Sequence, residues 1–210
     1  MARYIGAECR HCRREGMKLF LKGNKCMTDK CAFERRNYAP GENKEGMRSK
    51  VSDYGKQLRE KQKLRRMYGL LERQFRGYYE AASRKRGVTG EILLQMLERR
   101  LDNIVYRMGF AVNRLASRQL VTHGHLRVNG RKVDIPSYLV KVGDRVEIRE
   151  KSRSLDAIKY ALETLARRGG VPSWLEVNHE QLAGSLTKIP SREELALPIQ
   201  EQLVVELYSK

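Results

Sequence analysis

The sequence predicts an α+β chain: a mainly helical domain, a small cysteine knuckle at the N-terminal end, and a compact module of two helices plus a short antiparallel sheet. Three observations predict it. Apolar residues recur every three or four positions through much of residues 52–122, the signature of helices with one buried face. An Asn129-Gly130 dipeptide lies between short runs of strand-forming residues. Four cysteines crowd into the first 31 residues as two close pairs. A chain of 210 residues can bury a real core, in one large or two to three small domains.

Residues 1–50 lack sustained periodicity and read as a stapled unit followed by a basic linker, which includes the loop-like stretch Pro40-Gly41-Glu42-Asn43-Lys44-Glu45-Gly46. Cys9-x2-Cys12 and Cys26-x4-Cys31 are separated by thirteen residues, a layout that suits a tetrahedral zinc knuckle. With all four ligands from protein the site has no open position, so one structural Zn2+ is expected and no metal catalysis. Four thiolates leave such a site net negative, and Arg10, Arg13, Arg14, Lys25, Lys30, Arg35 and Arg36 offset this. Two disulfides, an iron–sulfur cluster or unligated thiols are the alternatives.

Residues 51–98 form the first part of the helical domain. A helix over 52–68 carries Tyr54, Leu58 and Leu64 among many cations, and Arg59, Lys61, Lys63, Arg65 and Arg66 cover most of its outer face, too densely for pairing with Glu60 alone. A second helix over 71–86 has Leu71, Phe75, Tyr79 and Ala82 near helical spacing and stops at Gly87. Thr89 caps the next segment, where Leu93, Leu97, Leu101 and Val105 recur every four residues. Residues 90–108 are therefore one helix or two abutting ones, ended by Gly109.

Residues 99–150 make the α+β module, whose centre is NRLASRQLVTHGHLRVNGRKVD from Asn113 to Asp134. Asn113 caps a helix that Gly124 ends in the left-handed conformation. Asn129-Gly130 tolerates the two positive φ values of a type I′ turn, and Leu126, Val128 and Val133 suit the flanking strands. Arg114 and Arg118 lie four apart on one helix face, while Arg127, Arg131 and Lys132 flank the turn, so helix and ribbon are expected to share one cationic surface. Val142-Gly143-Asp144 then turns into a half-buried strand over 145–149.

Residues 151–210 are expected to pack on the helical domain. Ser154 caps a helix with Leu155, Ile158, Leu162 and Leu165, which Gly169-Gly170 terminates. Residues 174–177 and 182–189 read as short strands, and Ser191 with Glu194 matches a capping box. The final IQEQLVVELYSK fits helix or strand; helix is favoured because Ile199, Leu203 and Leu207 are four apart.

Charge points to the partner. The formal net charge is +18, which suits a polyanion, and nucleic acid ahead of an acidic membrane. No apolar run approaches the roughly 20 residues of a spanning helix. MARYIGAECR lacks a signal peptide's apolar core, so the cytoplasm is the expected compartment. Residues 1–90 carry 24 Lys/Arg against 10 Asp/Glu, residues 91–150 carry 11 against 7, and residues 151–210 carry 8 of each. The N-terminal part is thus expected deepest in RNA, with the basic helix on phosphates and the neutral C-terminal part meeting protein. Tyr54, Tyr68, Tyr78 and Tyr79 are expected in the core rather than stacked on bases.

Five ordered blocks carry a resemblance: the cysteine knuckle, DYGKQLREKQKLRRMYG, RLDNIVYRMGF, the helix–hairpin stretch and the terminal EQLVVELYSK. Together they resemble, essentially end to end, the fourth protein family of the bacterial small ribosomal subunit in its zinc-knuckle form. The resemblance implies a primary binder of 16S rRNA that contacts a multi-helix junction in the 5′ domain and nucleates assembly of the subunit body. It implies that the α+β RNA-binding module is inserted within the helical domain, and that Cys9, Cys12, Cys26 and Cys31 are the zinc ligands. It places Lys44, Arg48 and Lys50 where mRNA enters, and the C-terminal segment against the fifth small-subunit protein, a contact tied to translational accuracy. Where the family commonly reads PGQHG this chain has Pro40-Gly41-Glu42-Asn43-Lys44, and where it reads SRRQARQL this chain has one cation fewer, at Leu115.

Two other functions compete. Arg100-Leu101-Asp102 resembles the catalytic loop of pseudouridine synthases, which carry the same hairpin module. Leu101 belongs to an apolar helix stripe, however, so Asp102 is expected to be a helix-surface carboxylate, and no separate catalytic domain remains. His11, His123, His125 and His179 show no nucleophile constellation. A free RNA-binding regulator or chaperone is the second alternative.

Overall fold

The computed structural model describes residues 4–41, 52–195 and 197–209. Contacts divide the chain into two compact units, one of residues 1–93 with 197–210 and one of 94–196, so the second lies in sequence between the two segments of the first.

In the first unit, α1 (Cys9–Glu15) ends at Gly16, whose φ of +66° provides the left-handed stop. A short α2 (Ala32–Arg35) follows. α3 (Asp53–Met67) starts where the Ser52 hydroxyl accepts from the Gly55 amide at 3.2 Å, and α4 (Glu72–Ser83) starts where Gln74 Oε1 accepts from the Leu71 amide at 3.4 Å. α5 (Thr89–Glu98) closes the first segment. The C-terminal stretch is helical over Glu201–Tyr208 and packs on α3, with Gln57 Nε2 donating to Glu206 Oε2 at 3.0 Å and the Gln200 amide to Glu60 Oε2 at 3.2 Å. Leu64, Phe75, Ala82, Leu93 and Val204 are fully buried, and each large apolar side chain so removed from water contributes about 1.5–3 kcal/mol. Tyr68 is buried as expected, while Tyr54 stands in solvent and Tyr79 stacks on Tyr208, ring centroids 4.7 Å apart.

The apolar run over 90–108 resolves into two abutting helices, α5, which begins in the first unit and ends in the second, and α6 (Leu101–Arg107), wholly in the second. The break falls at Arg100, whose backbone is extended and bridges Leu139. α7 (Arg114–Thr122) is capped by Asn113, whose Oδ1 accepts from the Ala116 amide at 2.7 Å. β1 (Leu126–Val128) and β2 (Arg131–Lys132) then pair across Asn129-Gly130, both at positive φ, which makes the type I′ turn. β3 (Arg145–Ile148), α8 (Asp156–Glu163), β4 (Leu175–Asn178) and β5 (Ala183–Leu186) complete the unit.

The sheet is larger than a module ending at residue 150. All five strands pair antiparallel in the order β2-β1-β3-β5-β4, so residues 175–186 extend the sheet begun by the hairpin. Gly184 opposes Val146 in that extension. A Cβ there would lie 2.7 Å from the Glu176 carbonyl oxygen and 3.0 Å from the Met108 side chain, so only glycine lets β5 fit against β4 and α6. Leu101, Ile104, Val105, Met108, Phe110, Val121, Leu126, Val146, Ile148, Ile158, Trp174 and Leu186 form one continuous core beneath it. Two local expectations differ. α8 begins after an extended Leu155, without a side-chain cap from Ser154. Ser191 and Glu194 exchange the two bonds of a capping box at 3.0 and 3.4 Å, but only a turn follows.

Candidate nucleic-acid interface

The hairpin module is built on a buried polar network. Asp102 is 4% exposed and accepts both Nε and Nη2 of Arg100, at 3.0 and 2.6 Å, together with Arg118 Nη1 at 3.3 Å. The expectation of a helix-surface carboxylate is therefore corrected: Asp102 is buried because two guanidiniums neutralise it. Arg107 grips the fully buried Glu98 at 2.7 and 3.0 Å, and Asn103 links Glu98 to Arg114, donating to Glu98 Oε2 at 2.7 Å and accepting from Arg114 Nε at 2.8 Å. Arg114 also lies over the Tyr106 ring, 4.7 Å from its centroid. Ser117 Oγ donates to the Asp102 carbonyl at 2.5 Å. α7 is thus riveted to α6 by the residues that looked, from spacing alone, like one exposed cationic face. Arg118 is buried and Arg114 half-buried.

The ribbon keeps the exposed charge. Arg131 and Lys132 are exposed and Arg127 is half-buried, with Lys132 Nζ 3.6 Å from Asp134. Helix end and ribbon meet at Gly124: its φ is +71°, and a Cβ there would lie 2.4 Å from Lys132 Cε. Arg149 Nη1 donates to the same residue's carbonyl at 3.0 Å. The turn is braced from its other side. Asn129 Nδ2 donates to Asp144 Oδ1 at 2.8 Å, its Oδ1 accepts the Arg145 amide at 2.9 Å, and Asp144 Oδ2 accepts the Lys141 amide at 2.8 Å. Next to this face, His125 pairs with Ser152 Oγ at 2.9 Å; burial lowers its pKa, with His123 and Arg149 adding to the shift.

The α3 cations are placed differently from the expectation of an outer face. Lys61 is buried and donates to Glu72 Oε1 at 2.6 Å; Lys63 pairs with Glu60. Arg65 reaches Gln62 Oε1 at 2.9 Å and Glu72 Oε2 at 3.7 Å. Arg66 pairs with Glu15, whose side chain is 1% exposed, and Arg59 stands 3.5 Å from the same carboxylate. Burial raises the Glu15 pKa against the pull of Arg66, Arg59 and Lys63. Much of this helix's charge is therefore answered inside the protein. Arg73, Arg76, Arg84, Lys85 and Arg86, which the sequence reading did not single out, are exposed.

At the knuckle, Cys9 and Cys12 sit on α1, Cys26 in a single 3-10 turn, and Cys31 just before α2. All four are free thiols, three of them buried. The Leu19 amide donates to Cys12 Sγ at 3.5 Å. Burial pushes the Cys12 thiol up to about 11, with the Leu19 amide opposing and the other three thiols adding to the rise. The expected closed tetrahedron is not assembled: among the described residues no three His, Cys, Asp or Glu side chains are gathered so as to hold a metal ion. The donor set suits zinc in chemistry, not in its gathered geometry. Around it, Arg10, Arg35 and Arg36 are exposed and, with Cys9 and the half-buried Arg13, line a cavity of about 340 Å³. Arg13 Nε donates to the Tyr38 carbonyl at 2.9 Å and Arg14 Nη2 to the Pro40 carbonyl at 3.0 Å. Burial, then Arg66, Arg65 and Arg10, lower the His11 pKa to about 4. Lys44, Arg48 and Lys50 lie outside the described residues.

Known proteins decide the family. The chain is 62% identical over all 210 residues, covering both chains completely, to small ribosomal subunit protein uS4 of Geotalea daltonii, and equally so to that of Syntrophus aciditrophicus. It is 60% identical over the same span to that of Thermodesulfovibrio yellowstonii. The chain belongs to the uS4 family. Residues 3–98 match the ribosomal protein S4/S9 N-terminal domain, and residues 99–146 match the S4 domain, which coincides with the α6–β3 region described above. The family is structural and non-enzymatic, which removes the pseudouridine synthase reading. The pairing of Asp102 with two arginines gives the same answer locally, since a carboxylate held in that way is not presented as a nucleophile. No helix among the described residues is long and apolar enough to cross a membrane.

Proposed function

We propose that this chain is a structural, rRNA-binding component of the small ribosomal subunit, working in the cytoplasm as part of the ribosome. One observation carries the reading: a rigid helix–hairpin module with Arg131 and Lys132 at its exposed tip sits in a chain that matches uS4 proteins from end to end. The finer role is a primary contact with 16S rRNA at a multi-helix junction of the 5′ domain, nucleating assembly of the subunit body. The resemblance to the family and the uneven charge, 24 basic against 10 acidic residues over 1–90, support it. In the same reading Lys44, Arg48 and Lys50 line the channel where mRNA enters, and the neutral C-terminal segment meets the fifth small-subunit protein.

Binding of the purified chain to small-subunit rRNA, measured against salt and followed by footprinting, tests this. Several phosphate contacts should cost roughly 10³-fold or more in affinity between low and moderate salt. A nearly flat salt dependence, or protection scattered without preference, would overturn it.

The knuckle reading is zinc held by Cys9, Cys12, Cys26 and Cys31. Bound there, zinc would supply a covalent-strength cross-link between α1 and the turn before α2, and no reactive position. Three buried thiols and the Leu19 amide aimed at Cys12 support it. Metal analysis of reduced protein should give one equivalent, lost on chelation; well under one equivalent would reject zinc.

A further inference from the structure

We propose that the exposed face of α4 is an RNA-docking surface in its own right, on which Arg73, Arg76 and Arg84 grip the sugar–phosphate backbone; this rests on the rRNA-binding reading above. At 100° per residue these three positions fall within a helical arc of roughly 80°, and all three are exposed. The opposite side of α4 is anchored, with Phe75 and Ala82 fully buried. The face is thus held by its own helix's packing and does not depend on a loop. Lys85 and Arg86, also exposed, prolong it beyond the helix end, where the unpaired carbonyls favour positive charge.

Two observations separate this face from an ordinary solvated one. The first is the contrast with α3, whose cations already meet Glu15, Glu60 and Glu72, so that a phosphate must displace an internal carboxylate to reach them. Among the described residues of this face only Arg76 is in an ion pair, with Glu80 at 3.0 Å, exposed and screened by water, while Glu72 beside Arg73 is turned to Lys61 and Arg65. Arg73 and Arg84 need only shed solvent. The second is Gly77, exposed in the middle of the helix about 20° beyond the edge of that arc. Its φ is not in the left-handed region, and nothing lies within 4 Å of where a Cβ would stand. A mid-helix glycine that neither conformation nor packing requires weakens the helix. Its effect here is to leave a notch beside Arg73 and Arg76 open down to the helix backbone, which suits the close approach of a chain of phosphates.

The experiment uses the full chain and small-subunit rRNA, with affinity measured across a salt series for three proteins. Arg73→Ala/Arg76→Ala/Arg84→Ala should bind at least tenfold more weakly at moderate salt and lose roughly 2–3 units of salt slope, about one per phosphate released. Gly77→Glu places a carboxylate in the notch, one turn from Arg73, where there is space for it. It should melt no lower than the unsubstituted chain and still bind at least fivefold more weakly. Affinity and slope of both variants within twofold of the unsubstituted chain, with that chain binding steeply and specifically, would overturn this surface alone. A flat salt response of the unsubstituted chain would overturn the rRNA reading as well.

Discussion

Asn129→Asp changes one atom pair in the chain and is expected to loosen the hairpin. Asn129 does two things that a turn residue need not do. Its amide nitrogen donates to Asp144 Oδ1 at 2.8 Å, while its oxygen accepts the Arg145 amide at 2.9 Å, tying the tip of β1–β2 to the turn that starts β3. Aspartate tolerates the positive φ nearly as well and keeps the acceptor for Arg145. It has no donor for Asp144. The lost bond to a charged acceptor is worth about 1.5–3 kcal/mol. Two carboxylates at such range repel by about 1 kcal/mol in water and up to ~4 at an effective dielectric of 20. Asn129 is exposed and Asp144 half-buried, so the lower ends apply. A destabilisation of about 2–3 kcal/mol follows, or roughly 10 °C in melting temperature for a unit of this size. Melting curves at neutral pH and near pH 3.5 measure it. The deficit should shrink in acid, where one of the two carboxyls takes a proton and becomes a donor. It should also shrink in Asn129→Asp/Asp144→Asn, where donor and acceptor exchange places and the Lys141 amide keeps its acceptor. A variant as stable as the parent at neutral pH, or a deficit that Asp144→Asn leaves untouched, would refute the bracing role and reduce Asn129 to its backbone angle.

Two further outcomes are expected. Asp102→Ala leaves Arg100 and Arg118, 2% and 5% exposed, without their shared counter-charge; removing one partner of such a buried cluster costs about 3–5 kcal/mol, and urea unfolding within ~0.5 kcal/mol of the parent would contradict the network. Glu194 should titrate at about 2, because the Lys188 ammonium, then the Ser191 amide, hold its carboxylate. A folded pKa below the unfolded value of 4.5 means that the 188–194 turn is stabilised above pH 4.5 and loses that support as pH falls from 4.5 towards 2. A carboxyl NMR titration midpoint near 4.5 would show that the bonds do not persist in solution.

Features written in adjacent residues were legible from sequence, and features that depend on distant partners were not. The Asn113 cap, the Gly124 stop and the Asn129-Gly130 turn each need only three or four neighbours to specify them, and all three stand as read. β4 and β5 were recognisable as strands by composition. That β5 pairs with β3 depends on Gly184 fitting beneath the Glu176 carbonyl, which no local pattern announces. Charge shows the same division more sharply. Glu15 meets Arg66 across 51 residues of sequence and Asp102 meets Arg118 across 16. A count of basic residues cannot distinguish a cation aimed at phosphate from one that holds two helices together, and a dense basic run on a helix mixes the two. α3 is thus not simply an outer cationic face, whereas on the sparser α4 Phe75 and Ala82 fix which side is buried. The count of 24 basic residues in 1–90 is accordingly an upper bound on phosphate contacts there, because most of the α3 cations already meet Glu15, Glu60 and Glu72. A salt slope for the N-terminal region well below that count of cations is what this architecture requires.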